Sequence, residues 1–114
     1  DMQARTIRKL ASEGSCIIVG RAAQEILKDD PDMVSVFIHA ELEDRIKRIM
    51  RLQGCERSRA ERLIRDTDRN RANYHNFYSD RKWGRCSSYD FSLSTTGFGV
   101  EGVVRIILSL IELL

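Results

Sequence analysis

A parallel α/β sheet is the fold class the sequence predicts, and three observations predict it. Short apolar runs at 15–20, 33–40 and 89–95 alternate with segments of helical periodicity, long enough to be the crossovers that parallel strands require. The first run is continuously apolar and bounded by Gly14 and Gly20, the pattern of a strand covered on both faces. No internal repeat or low-complexity linker interrupts the alternation.

In chain order, residues 2–13 place Ile7, Leu10 and Ala11 at helical spacing, with Gly14 as the stop. Ser15-Cys16-Ile17-Ile18-Val19-Gly20 is the first strand, and Cys16 within it is expected to be a buried thiol. Residues 22–28 read as a helix that Asp29-Asp30-Pro31-Asp32 breaks before the second strand at 33–40. Leu42, Ile46, Ile49 and Met50 then repeat at helical spacing up to Gly54, and residues 57–78 form a cationic helical region. Residues 79–88, with Lys82-Trp83-Gly84, make a loop into the third strand at 89–95, and a terminal helix covers about 100–113. Three strands are few for a sheet covered on both faces, so further strands are expected upstream in a longer polypeptide. No Gly-x-x-x-x-Gly-Lys-Ser/Thr phosphate loop occurs in these residues.

A length of 114 residues bounds the chain to one domain, here residues 1–114, and 42% apolar with 32% charged residues is a globular composition. No apolar run approaches the ~20 residues needed to cross a bilayer, and Asp1-Met2-Gln3-Ala4-Arg5 lacks the features of a signal peptide. A cytoplasmic protein without membrane partners is the expectation. Cys16, Cys55 and Cys86 are odd in number and lack metal-ligand spacing, so neither a disulfide framework nor a metal site is expected.

Charge is local. Residues 45–85 hold thirteen Lys/Arg against five Asp/Glu, whereas the whole chain carries only +2. Fifteen of the nineteen cations are Arg, whose planar guanidinium suits bidentate contact with phosphate oxygens. On a helix, Arg62, Arg65 and Arg69 share one face and repel one another, which an anion would relieve. A plainer account pairs Glu61 with Arg65, Asp66 with Arg69 and Asp68 with Arg71 across a solvated face. The patch fits nucleotide phosphates, nucleic acid or another acidic partner, and its sign does not separate them.

Gly20-Arg21 after an apolar strand, Val36-Phe37-Ile38-His39-Ala40-Glu41-Leu42-Glu43-Asp44-Arg45, and Asp68-Arg69-Asn70-Arg71-Ala72-Asn73-Tyr74 form an ordered set that resembles the cytidylate kinase-like family. Lys82-Trp83-Gly84 and Tyr89-Asp90-Phe91-Ser92-Leu93 are similar to that family's closing segment. The resemblance covers the C-terminal part of such a kinase. It implies a three-layer parallel sheet of the P-loop nucleoside monophosphate kinase type, with residues 57–85 as a helical, arginine-rich lid. It also implies ATP with magnesium as phosphoryl donor and CMP, dCMP or UMP as acceptor. Carried over by position, Gly20, Arg21, Asp68 and Arg71 would bind the acceptor, while Arg65 and Arg69 would brace the transferring phosphoryl group. Without its phosphate loop the piece is expected to be inactive alone. The family pattern has Gly-Arg-Asp where this chain has Gly20-Arg21-Ala22, so the acidic base-reading partner is missing.

Other residues carry two readings each. Arg21 either binds a ligand at a strand's carboxyl end or pairs with Glu25 at i+4. His39 is either an acid–base group or a packed histidine. His75 with Tyr74, Phe77 and Tyr78, and Trp83 beyond them, either stack bases or form the lid's own small core. Asp90 either bonds a ligand or lid arginine or serves the start of its strand. Two further functional classes stand beside the kinase: a nucleic-acid-binding module on the 45–85 patch, and a non-catalytic domain that pairs or swaps with a second copy through exposed sheet edges.

Overall fold

The Asp1 carboxylate accepts a hydrogen bond from the Gln3 amide at 3.0 Å and so caps helix α1, Met2–Glu13. The computed structural model describes residues 1–114. After α1 come α2 (Ala23–Ile26), β1 (Val36–His39), α3 (Leu42–Gln53), α4 (Arg57–Tyr78), a 3-10 turn (Cys86–Ser88), β2 (Phe91–Ser94) and α5 (Thr95–Ile111). Strands β1 and β2 pair in parallel with Val36 opposite Phe91 and His39 opposite Ser94. Helix α5 is interrupted at Gly99, whose φ of 70° and ψ of 169° are not helical and are open to glycine at little cost.

The best-packed part is the antiparallel pair α3–α4. Gly54, with φ of 60°, ends α3 in the left-handed conformation and leaves two residues before α4 begins. Ile46, Ala60 and Ile64 are buried together between the two helices, with Ile49, Met50 and Cys55 against them. Beside the start of α4, Arg57 donates to both oxygens of Glu43, each at 2.8 Å, and to Glu61 at 2.7 Å. These contacts hold the Glu43 carboxyl below its ordinary range.

Of the aromatic groups that sequence left in two readings, Trp83 packs on Phe37 beside the strands, while Tyr74 and Phe77 each pack on Tyr78 along α4. Trp83 meets the Phe37 ring edge-on at 5.4 Å and Tyr89 lies 4.9 Å from that ring, while the Trp83 amide donates to Asn76 at 2.9 Å. Trp83 therefore anchors its loop. Asp90 accepts from the Ser35 amide at 2.9 Å and hydroxyl at 3.2 Å, fixing where the two strands begin to pair. Burial pushes the Tyr89 phenol above its ordinary value of 10.0, an effect that the amide of Gly84 donating to its oxygen opposes. A folded state that keeps this proton longer than the unfolded chain loses stability as pH rises past that value. Urea midpoints of the wild type should therefore fall above pH 10.0, and those of Tyr89→Phe should fall less.

The fold class implied by the resemblance is not the one the chain adopts. The chain is mostly helical and its sheet has two strands, so no three-layer parallel sheet is formed. Residues 15–19, expected as the first strand, have no regular secondary structure and no strand partner. Their apolar side chains show it: Ile17 is 88% and Val19 87% exposed, and Cys16 is an exposed thiol where a buried one was expected. A continuous apolar run records a preference for burial, but a strand also needs a hydrogen-bonding neighbour, and none is provided here. The helix expected at 22–28 shortens to the single turn of α2. Only nine residues are buried, and the radius of gyration of 15.6 Å exceeds the roughly 13 Å usual for this length. No helix is long and apolar enough to cross a membrane.

Candidate functional site

Gly20, Arg21 and Ala22 all have positive φ, at 70°, 61° and 53°. For the two residues with a Cβ this backbone costs about 1–2 kcal/mol each, and such strain persists where surrounding structure enforces it. Ala22 and Ala23 are buried and anchor the turn, while Arg21 stays exposed. A Cβ at Gly20 would meet nothing within 4 Å, so the glycine is required by conformation and not by space. The turn carries the Arg21 guanidinium over the Tyr74 ring, 5.7 Å from its centroid. The alternative pairing with Glu25 is not formed. Glu25 is held by Lys28 at 3.0 Å and Ser79 at 3.1 Å, and the Lys28 bond lowers its pKa.

This turn forms one wall of an open cleft of about 2100 Å³, bounded also by α3, α4, β1 and α5. Helix α3 contributes Arg45 and Arg48, one turn apart, and α4 contributes Asp68, Asn70, Arg71, Tyr74 and His75. Arg45 grips Asp68 with both terminal nitrogens, at 2.8 and 2.6 Å, in a half-buried bidentate pair. That bond raises the Arg45 pKa, so the guanidinium is charged at any accessible pH. Arg21, Arg48 and Arg71 join no salt bridge, and they are the cations of this cleft free to meet an anion. Asp30 and Asp32 line the cleft as well, with the Asp30 carboxylate accepting from the Asp32 amide at 2.9 Å.

The fold thus brings Gly20, Arg21, Asp68 and Arg71 to one cleft. Arg65 and Arg69 are exposed on the same helix and are not part of the cleft wall. His39 lines the cleft but is exposed, its ring 6.2 Å from that of Phe37. His75 is buried and contacts Gln24 at 2.6 Å, which makes it part of the packing between α2 and α4.

Sequence reasoning missed Arg45 as the partner of Asp68. A signal existed, since Arg45 precedes the core residue Ile46 and Asp68 lies one turn beyond Ile64, so a helical hairpin packed on those isoleucines brings them close. Removing Arg45 and Asp68 singly and together should give a coupling energy of about 1 kcal/mol in urea unfolding, as expected for a partly exposed pair. A coupling of zero would make the contact an accident of side-chain placement.

Residues 1–97 match a family model described as the cytidylate kinase-like family. The crystal structure of an uncharacterized protein from Eubacterium ventriosum is 36% identical, with a TM-score of 0.93 over 96% of this chain. The chain spans 63% of that protein's length. No curated protein matches.

Proposed function

The chain belongs to the cytidylate kinase-like family, and from that premise we propose that its cleft binds a nucleoside monophosphate as the acceptor in phosphoryl transfer. CMP, dCMP and UMP are the acceptors this reading favours. The observation that carries it is the convergence of Arg21, Arg48 and Arg71, none in an ion pair, on a cleft whose Arg21 is held by strained backbone. Phosphoryl transfer asks little covalent chemistry of a protein and depends on position and on cations placed where charge accumulates.

On this reading Arg21 and Arg71 hold the acceptor phosphate. The Arg45–Asp68 pair keeps α4 fixed against α3, so that Arg71, one turn further on, is presented at a constant angle. Arg65 and Arg69 brace the transferring group only after residues 57–85 close as a lid, since in this arrangement they face solvent. ATP with magnesium is the proposed donor. Magnesium characteristically arrives on the phosphates of such a donor.

Calorimetric titration of the 114-residue chain with CMP tests the proposal. Saturable one-to-one binding that weakens as salt is raised is expected. Tight, steeply salt-dependent binding of oligonucleotides with no response to CMP would support a nucleic-acid-binding module instead.

A further inference from the structure

A second, smaller pocket of about 400 Å³ lies between α1, α2 and α4. Its wall includes Gln3 and Arg8 of α1 and Tyr78 of α4, and it shares Arg21 and Tyr74 with the larger cleft. The Arg21 guanidinium and the Tyr74 ring therefore border both spaces. The size is within the roughly 300–1000 Å³ of small-molecule sites, and the two tyrosines give it an aromatic side.

Ala22 explains why such a pocket is needed. A nucleoside monophosphate has a base as well as a phosphate, and the turn that presents Arg21 offers only a buried methyl group at the next position. Across the shared wall, the Tyr74 hydroxyl donates to the Gln3 side-chain carbonyl. That bond occupies one side of the amide and leaves its NH2 group, with two donors, for another partner.

We infer that this pocket receives the nucleobase of the bound monophosphate and that Gln3 is the residue that recognises it, donating from its amide to an acceptor on the base edge. Tyr74 is a positioning residue, orienting the amide through its hydroxyl. The donor calls for an acceptor on the base edge: the carbonyl of CMP and UMP serves, as do the ring nitrogens of AMP, and ribose 5-phosphate has neither. The inference rests on the proposed binding of a monophosphate in the cleft and adds the place and chemistry of base recognition.

The test compares CMP, AMP and ribose 5-phosphate as titrants of the wild type, Gln3→Ala and Tyr74→Phe. One well-placed hydrogen bond to a base corresponds to about tenfold in affinity. CMP should bind about tenfold more tightly than ribose 5-phosphate; Gln3→Ala should remove that margin, and any that AMP shows through its ring nitrogens, while leaving ribose 5-phosphate unchanged. Tyr74→Phe should narrow the margin without removing it, because the amide is then present but free to turn. Equal affinities for CMP and ribose 5-phosphate, both indifferent to Gln3→Ala, would overturn the base pocket while the phosphate site stood. Failure of all three compounds to bind would overturn both. Gln3 lies on a helix surface, and an unchanged urea midpoint of Gln3→Ala would exclude unfolding as the cause of a loss.

Discussion

Ile46→Ala is expected to lower the free energy of unfolding by about 2–5 kcal/mol, the usual cost of removing a large buried aliphatic side chain. Ile46 is 1% exposed and packs with Ala60, at 0%, and Ile64 at the centre of the α3–α4 pair. Small domains have only about 5–15 kcal/mol to lose, and this chain buries few residues, so the variant should be mostly unfolded at moderate urea. Ile46→Val should cost about 1 kcal/mol and serves as the graded control. A midpoint unchanged by Ile46→Ala would mean that α3 and α4 do not share a core in solution.

The second large effect concerns binding. Arg21→Ala with Arg71→Ala should weaken CMP binding by about 100-fold, because a charge-assisted hydrogen bond contributes about 1.5–3 kcal/mol and the pair supplies at least two. Arg65→Ala with Arg69→Ala, which removes the same amount of charge, here entirely from α4, should change affinity by less than about threefold through long-range attraction alone. The contrast separates a site from a net-charge effect. Equal losses in the two double variants would place the anion in the general field of residues 45–85 and not in the cleft.

What was legible in sequence follows from what is local. The helices at 2–13, 42–53 and 57–78 were readable because apolar periodicity, Gly14 and Gly54 act within a few residues. Parallel pairing of the second and third apolar runs was readable too, since only a crossover joins them. The first run was misread for the same reason: burial on both faces is a relation to other strands, and residues 15–19 have no strand beside them. With that strand goes the expected layering.

The site divides in the same way. Gly20-Arg21 stood out because a glycine and an arginine close an apolar run, but the positive φ of Ala22 is invisible in a residue type that ordinarily avoids it. Charge counting found α4 and not its geometry. It gave Arg62, Arg65 and Arg69 prominence as a stripe, whereas the cleft is built by Arg71 from that helix and by Arg45 and Arg48 from α3. The bond from Tyr74 to Gln3 joins positions 71 residues apart, and no local pattern anticipates it.

Backbone amide NMR during a CMP titration reports where on the chain the nucleotide sits, and so decides whether the cleft is its site. Saturable shifts are expected at Gly20, Arg21, Ala22, Arg71 and Tyr74, with Arg62, Arg65 and Arg69 nearly unmoved. Shifts confined to the Arg62–Arg69 face, or spread evenly over the cations without saturation, would contradict a nucleotide-binding cleft.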